Sequence, residues 1–172
     1  ARAASSGALS NRACFASGRM PWVNVTHPLA EAACAAAGAR LCSETEWQRA
    51  CNTTAGTPCT WSFDAACTTY VGATCNGNDY DFDAGTPGNQ DGLLATGALA
   101  TCDANWGAAA KIYDLSGKVK EWTGESAPGV NPLRGGSFNN TPVGISCGFD
   151  FVVADDAFQF NNVGFRCCRD TM

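Results

Sequence analysis

Histidine, basic side chains and long apolar runs are all scarce in this chain. It has one histidine, and its 11 lysines and arginines face 16 acidic residues, which gives a formal net charge of -5. One histidine and no C-x-x-C pair argue against a zinc site. The absence of a basic patch argues against nucleic acid or an anionic membrane surface as a partner. No apolar run approaches the roughly 20 residues of a membrane span, so we expect none.

Cysteine, by contrast, is abundant. The 11 cysteines are scattered through an acidic chain without the spacing of metal ligands, which is typical of disulfides formed in an oxidising compartment. We therefore expect a secreted, extracellular or surface-displayed protein, and a periplasmic one also fits. The number is odd, so one thiol is expected to be free or bonded to another chain. No signal peptide is visible, and a secretory signal would lie upstream of the first residue.

The length of 172 residues predicts one domain with a real core. A hydrophobic fraction of 45% together with 19 glycines favours a loop-rich α+β fold. We interpret residues 1–20, which are small and polar, as an irregular N-terminal arm held by a disulfide. The domain itself is expected to occupy residues 21–172.

Capping signals predict two short helices. The first is expected over residues 29–37, with Thr26 as its cap and Gly38 at its end. The second should begin at Ser43, because Ser43 and Glu46 have the spacing of a capping box. The alternation just before the first helix, at residues 22–26, predicts a short strand or bridge.

A long coil is expected over residues 56–110, where periodicity is weak and Gly, Asn, Asp and Thr dominate. Loops of that length need pinning, and the oxygen-rich stretches at 75–81 and 89–92 offer ligands for an ion, although neither has EF-hand spacing. Three short strands are predicted after the coil, at residues 133–138, 149–153 and 163–168.

The stretch at residues 112–123 combines two acids, a turn glycine and apolar positions of strand type. A turn at Ser116 and Gly117 would bring the carboxylates of Asp114 and Glu121 toward one side. Two acids beside loop carbonyls suit a hard cation. The alternative is a tight turn with two solvated acids, and the stretch alone leaves both open.

Four segments, in this order, resemble the formylglycine-generating enzyme (sulfatase-modifying factor) family. They are R-L-C-S-E-T-E-W-Q-R-A-C at 40–51, Y-D-L-S-G-K-V-K-E-W at 113–122, L-R-G-G-S-F at 133–138 and V-G-F-R-C at 163–167. The corresponding family patterns are R-L-P-T-E-x-E-W, L-x-G-N-V-W-E-W, R-G-G-S and G-F-R-C. The resemblance covers about residues 21–169 and implies an irregular, loop-rich α+β variant of the C-type lectin-like fold, with two short helices and short antiparallel strands. The family's N-terminal strand segment has no counterpart here.

The resemblance also implies two structural calcium ions, each held by four protein groups. One set is expected to be the side chains of Asn76 and Asp91 with the carbonyls of Gly77 and Leu93. The other is expected to be the carboxylates of Asp114 and Glu121 with the carbonyls of Gly117 and Val119. The family more often has asparagine where Asp114 stands.

The catalytic chemistry of the family is not expected here. Members that oxidise a substrate cysteine bind copper(I) through two cysteines that follow R-G-G-S, since soft thiolates suit that ion. Asn140 stands where the first would be, and Val143 or Gly144 is near the second. Cys147 more closely matches a structural cysteine. A three-histidine iron site is excluded because only His27 is present.

Family cysteine positions imply two disulfides, Cys34 with Cys167 and Cys51 with Cys147. Three further cysteines form a group from which one pair can form and one thiol can remain: Cys14, Cys42 and Cys168. Proximity in sequence suggests two more pairs: Cys59 with Cys67 and Cys75 with Cys102.

Two functions are therefore weighed. The first is a calcium-stabilised, disulfide-bonded, non-catalytic domain for binding or extracellular assembly, as in an adhesin or filament subunit, with a protein, a glycan or a neighbouring copy as partner. The alternative is an enzyme in the same cleft, such as a copper-dependent formylglycine-generating oxidase that uses Cys147.

Overall fold

The computed structural model describes residues 18–52, 59–63, 69–105, 111–124, 127–153 and 155–170. Most of the predicted N-terminal arm, residues 1–17, therefore lies outside the described residues. The end of that arm is attached to the coil, because the Gly18 N–H donates to the Thr96 carbonyl at 2.9 Å and the Thr96 N–H donates to the Arg19 carbonyl at 2.8 Å.

Two short α-helices form where the capping residues predict them. Helix α1 spans His27–Ala36, and its cap Thr26 accepts a hydrogen bond from the Leu29 N–H. It begins two residues before the predicted start, because a cap at Thr26 makes the next residue helical. Helix α2 spans Glu44–Cys51 and begins with the predicted capping box.

Strands in the described residues are short, with two to four residues each. They are β1 Arg40–Leu41, β2 Asp103–Asn105, β3 Lys111–Tyr113, β4 Lys120–Trp122, β5 Asn131–Arg134, β6 Asp150–Val153, β7 Val163–Phe165 and β8 Cys167–Cys168.

The largest sheet has four strands in the order β6-β5-β4-β7. Its β5 lies antiparallel to both β4 and β6, whereas β4 and β7 run parallel. The remaining strands form two antiparallel pairs, β1 with β8 and β2 with β3. The loop-rich α+β fold is confirmed, and one pair in the main sheet is parallel rather than antiparallel.

Two local predictions were wrong. Residues 22–26 form no strand, because Asn24 has a φ of +53° and this left-handed backbone interrupts an extended run. The expected coil at 56–110 contains one strand, β2, which pairs with the segment that follows it. The other described parts of that coil contain neither helix nor strand.

Three disulfides tie the helical region, residues 27–51, to the C-terminal part of the chain, and a fourth lies within the coil. Four bridges join described cysteines: Cys34–Cys167, Cys42–Cys168, Cys51–Cys147 and Cys75–Cys102. The first and third are the pairs that the resemblance implies. Cys59 is also disulfide-bonded. The suggested partner Cys67 and the remaining cysteine Cys14 lie outside the described residues.

Two apolar clusters include cysteines of these bridges. One packs α1 against the main sheet around Trp122, whose indole N–H donates to the Val25 carbonyl at 2.8 Å. The other surrounds Trp47 of α2 and includes Leu115 of the turn between β3 and β4. Both tryptophans are 1% exposed. The turn that carries Asp114 and Glu121 is therefore anchored in the core.

Candidate functional site

The turn between β3 and β4 depends on a glycine. Gly117 has a φ of +76°, and a Cβ placed on it would lie 2.4 Å from the Asn76 carbonyl oxygen. Only glycine permits this close approach of two backbones. The same carbonyl accepts a hydrogen bond from the Lys118 N–H at 2.7 Å. The turn of the predicted second calcium site is thereby joined to the loop of the first.

The turn brings Asp114 and Glu121 to one small cavity of about 40 Å³. Both side chains are almost fully buried, with 10% and 6% of their surface exposed. The cavity is also lined by Thr96, Lys118 and Arg166. The predicted approach of the two acids is therefore present, but two basic side chains accompany them.

The Asp114 carboxylate is held by two donors. Its Oδ2 atom accepts a hydrogen bond from the Gly97 N–H at 2.8 Å, and it forms an ion pair with the Lys118 ammonium. The Lys118 side chain is 4% exposed. Burial lowers the pKa of Lys118, while the Asp114 and Glu121 carboxylates act in the opposite direction.

The Glu121 carboxylate is held by three donors. The Arg166 guanidinium binds both oxygens, with Nε 2.7 Å from Oε2 and a terminal nitrogen 2.8 Å from Oε1. The Trp47 indole N–H also donates to Oε2 at 2.7 Å. A two-pronged contact of this kind is among the stronger hydrogen-bonded ion pairs in proteins.

These contacts do not fit a calcium ion at this position. Calcium needs six to eight oxygen ligands at about 2.3–2.6 Å, and a cationic nitrogen cannot be one of them. Here the Lys118 and Arg166 side chains contact the two carboxylates. The formal charges of the two acids and the two bases already cancel.

The first predicted site is different, because it contains an oxygen without a donor. Asn76 is 3% exposed, and its side-chain N–H group donates to the Gly92 carbonyl at 3.0 Å, which places the loop with Asp91 and Leu93 beside it. Its Oδ1 atom has no hydrogen-bond partner within the described ranges. Since buried acceptors are rarely left unpaired, this oxygen fits a hard cation.

Two other oxygen-bearing groups lie close to Asn76 in sequence, the Gly77 carbonyl and the Asp79 carboxylate. The Gly77 carbonyl accepts a hydrogen bond from the Tyr80 N–H at 3.1 Å. The Asp79 Oδ1 atom is buried and, like that of Asn76, has no donor in the part of the chain that the structure describes. Sequence reasoning included Asp79 in an oxygen-rich stretch but not among the ligands. The oxygen-rich composition of residues 75–81 was the sequence feature that could have indicated it.

No group of three or more His, Cys, Asp or Glu side chains that could hold a metal ion occurs among the described residues. The described ranges also include no helix long and apolar enough to cross a membrane.

The position after R-G-G-S is filled by a polar network. The Ser137 hydroxyl lies 2.7 Å from the Asn140 Oδ1 atom and accepts from the Lys120 ammonium at 3.0 Å. Burial lowers the pKa of Lys120. Further along, Cys147 is bonded to Cys51 and its side chain is buried. Each cysteine in the described ranges is disulfide-bonded. With Cys147 in this bridge, an oxidase that uses the Cys147 thiolate is not favoured.

Solved structures with a similar fold come from several proteins. Treponema denticola variable protein 1 is 22% identical over 76% of this chain, with a TM-score of 0.55. PvdO from Pseudomonas aeruginosa is 18% identical over 91%, with a TM-score of 0.61, and CarF is 19% identical over 87%, with a TM-score of 0.56. The chain spans 48% of the Treponema chain and 67% of each of the other two. At these identities the likeness concerns the fold.

No curated protein sequence matches the chain. Residues 4–171 match the sequence profile of the sulfatase-modifying factor enzyme 1-like domain, which is nearly the whole chain. The motif segments lie in the core around Trp47 and Trp122, and the fold agrees with the profile. The chain therefore belongs to the sulfatase-modifying factor enzyme 1-like domain family.

Proposed function

We propose that this chain is a non-catalytic binding module that works outside the cytoplasm and engages a protein partner through its edge strand β6. The observation that carries the proposal is the exposure of apolar side chains on that strand. Phe151 is 41% exposed and Val152 is 50% exposed. Neighbouring residues of a strand point to opposite faces, so both faces of this edge are apolar.

An exposed apolar edge strand suits association. Within the described residues β6 pairs only with β5, so its other side can add a strand from a partner. Three of its four residues are exposed, and Val153 is the one that is buried. Monomeric proteins usually protect such edges with charge or proline, which the inner positions of this strand lack.

A second exposed aromatic ring follows β6. Phe160 is 56% exposed, and its ring stacks on Phe158 with 6.2 Å between centroids. Phe158 in turn contacts the buried Trp122 edge to face at 6.1 Å. A ring supported in this way loses little conformational freedom when a partner covers it, which is a property of strong binding positions. Phenylalanine and valine together favour a protein partner over a glycan, and a neighbouring copy is one such protein.

The disulfides support a location in an oxidising compartment, since such bridges are rare in the cytosol. A secreted or surface protein, for example an adhesin or filament subunit, fits this location. We include one structural calcium ion in the proposal, held by Asn76 and Asp91 with the Gly77 and Leu93 carbonyls. The unpartnered Asn76 Oδ1 atom supports it. Its role would be to order the loop and not to take part in a reaction.

The binding test compares wild type with the double variant Phe151→Thr and Val152→Thr, which keeps strand propensity and removes most apolar surface. Leu29→Ser on α1 is the matched control, because Leu29 is 43% exposed. Sedimentation measures self-association, and arrays of extracellular proteins and of glycans test other partners. Loss of protein binding of tenfold or more in the double variant alone supports the proposal. Unchanged binding, or binding to glycans only, overturns it.

The enzyme alternative has its own test. Wild-type protein is titrated with copper(I), and oxygen consumption is followed with a cysteine-containing peptide. We expect no tight copper site and no turnover, because Cys147 is bonded to Cys51. Copper binding at one ion per chain together with turnover would refute the non-catalytic assignment.

A further inference from the structure

We infer that the ammonium group of Lys118 takes the place of a bound cation in the turn between β3 and β4. The side chain belongs to the turn and contacts the carboxylate that was expected to bind calcium. The inference goes beyond the proposed binding function, and it does not depend on the identity of the partner.

This chain differs from the family pattern at Asp114 and at Lys118, and the two differences introduce opposite charges. The pattern L-x-G-N-V-W-E-W has asparagine where this chain has Lys118, and asparagine is also the commoner residue where it has Asp114. One departure adds a positive charge and the other adds a negative charge. The two side chains are four residues apart and form an ion pair. An unrelated surface substitution would not produce a buried, complementary pair.

The charges at this position are balanced without a metal ion. Asp114 and Glu121 contribute two negative charges, and Lys118 and Arg166 contribute two positive ones. A divalent cation added to this set would leave two positive charges without partners in a site that is largely shielded from water. Buried unpaired charge is strongly unfavourable. A calcium ion could bind only if Lys118 left its position.

The backbone gives independent support. Lys118 has a φ of +69°, and the hydrogen bond from the Val119 N–H to the Gly117 carbonyl closes a tight turn around it. Asparagine adopts this left-handed conformation several times more readily than lysine does. Local conformation alone would therefore favour the asparagine of the pattern. The ion pair with Asp114 accounts for the lysine.

The test restores the asparagine of the pattern and counts ions. Wild type is compared with Lys118→Asn and with Lys118→Gln. Lys111→Asn is the control, since Lys111 also pairs with an aspartate, Asp103, but is exposed. Bound calcium is measured after equilibrium dialysis. Terbium emission excited through tryptophan reports on this position, because the Trp47 indole contacts Glu121.

We expect the Lys118→Asn variant to bind one calcium ion more than wild type, with a several-fold gain in terbium emission that calcium reverses. The control should gain neither. If Lys118→Asn does not fold, Lys118→Gln, which also removes the ammonium charge, decides by the same criterion. A wild type that binds two ions, or a folded variant that gains none, overturns the inference. The measured quantity is the difference in bound calcium between variant and wild type, so it does not depend on whether an ion binds at Asn76.

Discussion

Replacement of Gly136 by alanine should destabilise the domain far more than the same change at Gly129. Both glycines have a left-handed backbone, with φ values of +65° and +71°. At Gly136 the new Cβ would lie 2.1 Å from the Gly144 carbonyl oxygen and 2.9 Å from the Ile145 Cα atom. At Gly129 it would meet no atom within 4 Å. The pair therefore separates steric crowding from backbone conformation.

The magnitude follows from these contacts. A left-handed conformation costs an alanine about 1–2 kcal/mol, and this cost applies to both variants. The atoms near Gly136 belong to the backbone of the buried residues Gly144 and Ile145 in a 3-10 turn, so they cannot rotate away. Crowding of this kind adds about 1–3 kcal/mol. Gly136→Ala should thus cost about 2–5 kcal/mol in total.

The assay is guanidinium unfolding under non-reducing conditions, followed by tryptophan fluorescence, with a thermal melt in parallel. For a domain of this size about 1 kcal/mol corresponds to a shift of about 2–4 °C, so the two variants should differ by about 2–12 °C in Tm. Equal losses of stability would refute the reasoning, because they would mean that the segments 135–137 and 143–145 are not packed together.

Two further predictions concern covalent and charged contacts. Replacement of Cys51 and Cys147 by alanine removes a bridge between residues 96 positions apart and should lower the free energy of unfolding by at most about 4–5 kcal/mol. Unfolding with the other bridges intact measures this change, and an unchanged stability would contradict the bridge. The hydrogen bond and ion pair with Arg40 lower the pKa of Glu46 to about 2 from 4.5, so its charge stabilises the fold above pH 4.5 and this contribution is lost as the pH falls toward 2. The difference in stability between wild type and Glu46→Gln should therefore shrink as the pH falls over that range, and a difference that grows would contradict the assigned direction of the pKa shift. The effect is small and is screened by salt, because the Arg40 and Glu46 side chains are both 42% exposed.

Helices were predicted well because their signals are local. Thr26 determines where α1 begins, and the capping box of Ser43 and Glu46 determines where α2 begins. In each case the side chain and the group that it contacts lie within four residues in sequence. The strands after the coil were predicted from apolar runs around Leu133 and Val163, which are buried in the main sheet. In both cases the sequence itself contains the physical cause.

Long-range pairing could not be predicted in the same way. β2 is Asp-Ala-Asn, a poor strand by composition, and it forms because β3 pairs with it. The parallel contact between β4 and β7 joins residues more than 40 positions apart, and no local pattern encodes it. The stretch at residues 22–26 shows the converse, since alternation predicted a strand that the backbone of Asn24 interrupts.

The candidate site was predicted in part. The turn at Gly117 and the approach of Asp114 to Glu121 follow from the sequence, because a turn glycine between two apolar runs leaves few other arrangements. The role of Lys118 was missed, although a lysine four residues after an aspartate is a visible signal. Surface lysines are so common that only its burial distinguishes this one.

The disulfide between Cys75 and Cys102 helps to hold this turn in place. Asn76, which follows the first cysteine, accepts a hydrogen bond from the Lys118 N–H through its carbonyl. The Cys102 carbonyl accepts one from the Asp114 N–H at 3.0 Å. Each side of the disulfide therefore holds one end of the turn, and the ion pair between Lys118 and Asp114 closes the same loop through side chains. The groups that a cation would connect at this position are already connected by a disulfide, two backbone hydrogen bonds and an ion pair. The disulfide maintains the geometry of the turn, and Lys118 balances its charge.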